Sequence, residues 1–330
     1  MTAAQRVLVT GATGFTGGHL CERLVAEGYS VRALVRDPHR CARLANAGIE
    51  LAVGELRDRA SLRRAVDGID VVYHIAALFR QENVSTEDMW EVNAEGTRAL
   101  LDAAAGVGVG RFVHCSTAGV HGEIKTPPAT EETPYGPGDY YQESKTAGER
   151  IALRYMADGR LPLVVFRPAG VYGPRDLRFL KLIKAINTRK FVMLGSGTVQ
   201  YQLVFVDDLI DGILRCGTSA RALGQVFLLT GEPPVTLNAL VKLIADVLHV
   251  PAPRWHFPVA PVYAAGYLCE LLFKPLKISP PLYRRRVDFF RKTRAFDISK
   301  AKRELGFQPR TELRCGLTRT IEWYRRAGLL

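Results

Sequence analysis

Arg6-Val7-Leu8-Val9-Thr10-Gly11-Ala12-Thr13-Gly14-Phe15-Thr16-Gly17 is an apolar run that ends in a glycine turn and gives way to helical periodicity over residues 15 to 27. A strand, a tight turn and a helix in that order leave the helix's first amides pointing outward, where they and the helix dipole hold a phosphate. Gly11 permits the turn, Gly14 lets backbone approach a pyrophosphate, and Gly17 lets the helix lie against the sheet. Gly11, Thr13, Gly14, Phe15 and Thr16 are therefore expected to touch a dinucleotide.

The same alternation continues outward. Strands are expected over residues 31–35, 49–53, 71–75 and 111–115, separated by helices over 39–46, 60–66 and 86–105, with a further helix over 140–158 and a strand over 163–166. This predicts an α/β fold, a Rossmann-type doubly wound parallel sheet with right-handed crossovers. Past residue 175 the pattern loosens and prolines cluster at Pro233-Pro234, Pro251-Pro253, Pro258-Pro261 and Pro280-Pro281. Residues 1–175 are read as the dinucleotide-binding domain. Residues 176–330 are read as mainly a smaller C-terminal α/β substrate lobe, some of whose segments return to the first domain.

With 47% hydrophobic and 24% charged residues, the chain can build a large core and is neither disordered nor membrane-spanning in composition. Net charge is +12, which favours an anionic partner. The densest basic run, Arg284-Arg285-Arg286 with Arg291, Lys292 and Arg294 around Phe289 and Phe290, carries no nucleic-acid motif, so a solvated or phosphate-facing surface is expected. Six scattered cysteines without a CxxC predict neither zinc nor a disulfide framework, and no metal is expected. The first strand starts within a few residues of Met1, leaving no room for a cleavable signal, so a cytoplasmic location is expected. Residues 259–273 carry one charge, Glu270, and are too short to span a bilayer. They are read first as a packed core helix, then as the wall or lid of a pocket, and then as a peripheral contact with a membrane surface.

Tyr141-Gln142-Glu143-Ser144-Lys145 places a phenol and an ammonium four residues apart, on one face of the helix expected there. A phenol with a pKa near ~10 is a poor base at neutral pH, and a neighbouring cation lowers that pKa enough for acid or base work.

The glycine turn, a small hydroxyl-rich segment at Cys115-Ser116-Thr117-Ala118-Gly119 and the Tyr141/Lys145 pair, in that order, resemble the extended short-chain dehydrogenase/reductases. The resemblance runs from about Arg6 to the C-terminal helix, where residues 297–302, Leu305-Gly306-Phe307-Gln308-Pro309 and Trp323 look like the family's terminal signature. It implies an NAD(P)-dependent enzyme in which Tyr141 passes a proton to or from the substrate oxygen. Thr117, or Ser116 in its place, orients that oxygen, and Lys145 supports the phenolate and holds the nicotinamide ribose. It further implies cofactor contacts at Glu55 and Leu56 near the adenine and at Ala76 and Ala77 under the cofactor. Asn93 in the Val92–Thr97 motif, and Arg167, Pro168 and Gly170 beside the nicotinamide, complete that set. At the end of the second strand, where NAD-preferring enzymes carry an acid for the ribose, stands Arg36. A guanidinium suits a 2′-phosphate, so NADP(H) is preferred, with Arg32 or Arg40 as helpers, while Asp37 keeps NAD(H) open.

Two departures bear on the substrate. Gly170 stands where related sugar-nucleotide enzymes carry Asn, and Tyr201 where they carry the Arg that holds the diphosphate. The segment Arg167-Pro168-Ala169-Gly170-Val171-Tyr172-Gly173 instead looks like that of 3β-hydroxysteroid dehydrogenases. The expected reaction is therefore hydride transfer on a secondary alcohol or ketone of a hydrophobic, steroid- or lipid-like small molecule. A nucleotide-sugar epimerase, supported by net charge and Asp207-Asp208, is the alternative, a dehydratase less so. A non-catalytic NADP(H)-sensing protein is a third reading, against which the intact relay argues. His114, His121 and Asp139 lack a serine on a nucleophile elbow and are not read as a hydrolase triad. By the same resemblance, residues 86–105 and 140–158 are expected to pair across a homodimer.

Overall fold

The computed structural model describes residues 4–79, 84–273 and 287–330; Pro280-Pro281 and the Arg284–Arg286 run lie outside the described residues. The first half alternates as β1 (Arg6–Thr10), α1 (Phe15–Ala26), β2 (Ser30–Val35), α2 (Ala42–Asn46), β3 (Glu50–Val53), α3 (Arg59–Val66), β4 (Val71–His74), α4 (Thr86–Trp90), α5 (Gly96–Gly106), β5 (Arg111–Cys115), α6 (Tyr140–Ala157) and β6 (Leu163–Pro168). Its strands are short apolar runs because helices cover both faces of the sheet; β4 is buried at every position. The helix expected over 39–46 is broken. Pro38 opens a tight turn, Pro38–Arg40, capped by the Asp37 carboxylate on the His39 amide, and α2 starts only after it. The helix expected over 86–105 is one run made of α4, a wide turn at Glu91–Glu95, and α5.

Beyond β6 come β7 (Gly170–Tyr172), α7 (Leu180–Asn187), β8 (Met193–Leu194), β9 (Gln200–Tyr201), β10 (Leu203–Phe205) and α8 (Val206–Thr218). They are followed by β11 (Val226–Leu229), β12 (Val235–Thr236), α9 (Leu237–Leu248), β13 (His256–Phe257), α10 (Val259–Phe273) and the helices Ser299–Leu305 and Leu313–Arg326. β11 runs back to pair with β6 and completes a parallel sheet of order β11-β6-β5-β4-β1-β2-β3. The pairs β7/β10, β8/β13 and β9/β12 form small separate sheets. The order reverses between β1 and β4, and the crevice at the carboxyl ends of those strands is where this architecture receives ligands.

One apolar layer, with Leu20 of α1 and Ile213 of α8, covers one face of the sheet. The other, with Leu62 of α3, Leu100 of α5 and Ile151 of α6, covers the opposite face. Asp207 and Asp208 serve the fold: Asp208 accepts from the amides of Arg310 and Thr311 at 3.1 and 3.0 Å, and Asp207 pairs with Arg319 at 2.8 Å. The core-helix reading of 259–273 does not hold. Tyr267, Leu268, Leu271 and Leu272 on α10 are 49 to 65% exposed.

Candidate functional site

One cleft of about 1240 Å³ runs along the carboxyl ends of the strands. Its near end is the glycine turn. Gly11 has φ +74°, and a Cβ there would come within 2.8 Å of the Ala76 backbone. A Cβ on Gly17 would lie 2.1 Å from the Gly11 carbonyl oxygen, so the helix can pack this close only as glycine. No side chain caps α1 at Gly14, which leaves the first-turn amides available to an anion. The glycine geometry and the uncapped helix fit a dinucleotide.

Gly11, Thr13, Gly14, Phe15, Thr16, Arg36, Glu55, Leu56, Ala76 and Ala77 all line this cleft. Arg36 is exposed and has no ion-pair partner among the described residues. Asp37 caps the following turn and does not line the cleft. Arg32 is committed elsewhere: its guanidinium donates to Glu50 at 2.7 Å and to the carbonyls of Ala65 and Asp67 at 2.9 and 2.8 Å, so it is no helper to Arg36.

Midway along the cleft, Ser116, Thr117, Tyr141 and Lys145 come together as lining residues. Thr117, two residues past the end of β5, accepts from the Gly119 amide at 3.1 Å. Asp139 caps α6 through the Gln142 amide at 3.0 Å, which sets Tyr141 in the first turn, facing the cleft. Phe79 packs edge-on to the Tyr141 ring, centroids 4.9 Å apart. Lys145, 2% exposed, donates to the Cys115 carbonyl at 2.7 Å. Burial lowers its pKa from the usual ammonium range, against the pull of Cys115 and Glu149. Below it, burial and then the Lys145 charge push the His74 imidazole down to about 3 and hold His114 well below its ordinary value.

Two residues expected at the cofactor do not line the cleft. Asn93 is buried, and its amide accepts from Leu78 N at 2.7 Å and donates to Leu78 O and Ser144 Oγ, both at 3.0 Å. It ties the loop before Phe79 to α6, one turn from Tyr141. Arg167 is also buried, with Nε 3.1 and 3.2 Å from the two Glu149 oxygens and Nη1 donating to the Glu131 carbonyl at 2.8 Å and close to His121 Nε2 at 3.1 Å. Glu149 also accepts from Ser116 and from Tyr135, the latter at 2.7 Å. This cluster clamps the ends of β5 and β6 to α6. His114 in the strand, His121 on Arg167 and Asp139 at its cap have separate surroundings and form no triad.

Pro168 and Gly170 line the far half of the cleft, with Phe179, Leu182, Phe191, Phe289, Phe290 and Phe296. Sequence reading missed these residues as a group, since they come from two segments far apart in the chain, 179–191 and 289–296. It also missed Arg294 as a cleft residue, placing it only within the basic run. A bridge between Tyr201 and Arg294 brings that guanidinium over the Tyr201 ring, 5.0 Å from its centroid, where it donates to the Tyr201 hydroxyl. A cation thus stands beside Tyr201, supplied from a distant segment. Lys181 also lines this end.

A family model described as the NAD dependent epimerase/dehydratase family matches residues 7–228. Sterol demethylase protein B of Methylococcus capsulatus is 29% identical, over 98% of this chain and 99% of its own. A 4-hydroxy-2-methyl-3-oxo-4-farnesyl-3,4-dihydroquinoline-1-oxide ketoreductase of Stigmatella aurantiaca is 30% identical, over 94% of each chain. Among solved structures, the dTDP-glucose 4,6-dehydratase DesIV of Streptomyces venezuelae, with NAD and TYD bound, superposes with a TM-score of 0.78 at 27% identity, over 98% of this chain and 97% of its own.

Proposed function

The chain belongs to the NAD dependent epimerase/dehydratase family, and within it we propose an NADP(H)-preferring oxidoreductase acting on a secondary alcohol or ketone of a hydrophobic, steroid- or lipid-like molecule. The observation that carries this reading is the far half of the cleft, walled by Phe179, Phe191, Phe289 and Phe290 and continuous with the Thr117/Tyr141/Lys145 cluster. Aromatic walls favour an apolar ligand body. Relatives named for a sterol and for a farnesylated quinoline support the same class.

When bound, a nicotinamide supplies the hydride chemistry. The chain's own residues do the rest. Thr117 holds the substrate oxygen, and Tyr141 Oη gives or takes its proton. Lys145 places a positive charge on the same helical face, which favours the phenolate. Gly11, Gly14 and the first-turn amides of α1 would hold a pyrophosphate, Leu56 would bound the adenine, and Arg36 would meet a 2′-phosphate. The preference for the phosphorylated cofactor rests on Arg36 being uncommitted while Asp37 is turned to its own backbone.

A second reading, a nucleotide-sugar epimerase, draws on Arg294, which brings a guanidinium to the substrate end beside Tyr201. The two separate in one assay. A dehydrogenase or reductase changes the redox state of free cofactor in step with a sterol or other lipophilic ketone, whereas an epimerase converts a UDP-sugar with no net cofactor turnover. Stabilisation by NADPH over NADH, followed by turnover with lipophilic ketones, supports the lead; turnover confined to UDP-sugars replaces it.

A further inference from the structure

Among the described residues, fourteen large hydrophobic side chains are exposed, and six of them fall between residues 255 and 272. Trp255, just before β13, is 76% exposed, and Phe257 on it 51%. Tyr267, Leu268, Leu271 and Leu272 of α10 make up the rest. Of α10's described residues only Gly266 is buried. Glu270 apart, the helix is apolar in sequence with no single apolar stripe, and its 15 residues reach about 22 Å, short of a bilayer's hydrocarbon core of roughly 30 Å. No described helix is long and apolar enough to cross a membrane.

This apolar rim sits beside the cleft's far end. Trp255 and Phe257 accept through their carbonyls from the amides of Met193 and Gly195, at 3.3 and 2.8 Å, and Phe191, just before them, lines the cleft. Arg291 lies over the Tyr263 ring of α10, 4.3 Å from its centroid, and the adjoining Phe290 also lines the cleft. The surroundings are cationic. Arg254 precedes the strand, and among the described residues 287–294, after α10, Arg291, Lys292 and Arg294 stand against one acid, Asp288, on a chain of net charge +12.

We propose that Trp255, Phe257 and the exposed leucines of α10 seat this protein on the surface of a bilayer containing anionic lipids, with the apolar mouth of the cleft turned toward the lipid. Aromatic residues at the headgroup level, leucines just below it and arginines around them match an interfacial anchor. Charge decides the occupant: a second copy of this chain would bring its own surplus of positive charge against the same rim. Delivery of substrate from the bilayer rests on the hydrophobic-substrate reading above; the docking itself does not.

The test is sedimentation of the full-length protein with phosphatidylcholine vesicles, with and without phosphatidylglycerol, alongside Leu268→Glu/Leu271→Glu/Leu272→Glu and Trp255→Phe. Binding is expected to vesicles containing phosphatidylglycerol and to weaken severalfold in high salt or on phosphatidylcholine alone. The triple variant is expected to bind at least about a hundredfold more weakly, with its melting midpoint and its turnover of a small water-soluble ketone unchanged. A blue shift of tryptophan emission on binding, lost in Trp255→Phe, places that ring in the lipid. Wild-type protein left in the supernatant, or equal binding by the triple variant, overturns the proposal, as does a wild-type dimer that the triple variant splits into monomers without any vesicle binding. Loss of vesicle binding with turnover of lipophilic ketones intact refutes the docking alone. Vesicle binding without turnover of any ketone upholds the docking and sinks the functional reading.

Discussion

Glu149→Gln removes one charge from the buried clamp behind the site, and its cost follows from the surroundings. The Glu149 and Arg167 side chains are 0% and 4% exposed, with Arg167 Nε 3.1 and 3.2 Å from the two carboxylate oxygens. Ser116 and Tyr135 donate to the same carboxylate. Gln preserves shape and one acceptor, yet leaves the Arg167 charge buried without its counter-ion. Breaking a buried pair from one side costs about 3–5 kcal/mol. With a urea dependence of about 1–3 kcal/mol per molar, the denaturation midpoint should fall by about 1 M or more. Because the clamp joins the ends of β5 and β6 to α6, turnover should fall as well, with Thr117 and Tyr141 less firmly held. Urea denaturation followed by circular dichroism, on Glu149→Gln and on Glu149→Leu/Arg167→Met, reads the effect. The double variant, which removes both charges, should recover most of the lost stability. A single variant within about 1 kcal/mol of wild type, or a double variant worse than the single, would refute the reasoning.

Three further outcomes are expected. Tyr141→Phe should keep cofactor affinity, measured by fluorescence titration, while turnover drops about a hundred- to ten-thousandfold; full activity would remove the phenol from the chemistry. Arg36→Ala should weaken NADPH binding about ten- to a hundredfold and leave NADH nearly unchanged, and equal loss for both would mean that Arg36 does not read the 2′-phosphate. The third outcome is acid lability. His74 has a folded pKa of about 3 through burial, and His114 is lowered in the same direction. The unfolded chain therefore binds more protons than the folded one between about pH 3 and pH 6.5, so stability rises with pH across that window and is lost on acidification. His74 alone accounts for about 2 kcal/mol between pH 8 and pH 5, which urea midpoints at the two pH values will measure; a flat profile would contradict the buried neutral imidazoles.

Much of the sheet was legible because parallel strands covered on both faces read as short apolar runs, and glycine at positions 11, 14 and 17 has a steric reason visible in the spacing alone. The Tyr141/Lys145 pair was legible because helical geometry puts i and i+4 on one face. Arg167 was not. Nothing in its local sequence says that Glu149 waits across the helix–sheet interface, and only the packed structure turns it from the cleft into an ion pair. Arg294, Phe289 and Phe290 were hidden for a related reason: they meet Tyr201 and Phe191 from a distant segment of the chain, which leaves no periodic trace. Residues 259–273 misled in the other direction, since an apolar helix reads the same whether it is buried or exposed.

The central claim is that the cleft brings a nicotinamide and the Tyr141 phenol to one substrate carbon and its oxygen. Its most direct test is to incubate the protein with NADPH deuterated at the reactive ring carbon and a lipophilic ketone, then find the label by mass spectrometry. Deuterium on the new carbinol carbon, nearly absent with Tyr141→Phe, is the predicted result. Product without deuterium, or labelling undiminished in Tyr141→Phe, would contradict the account.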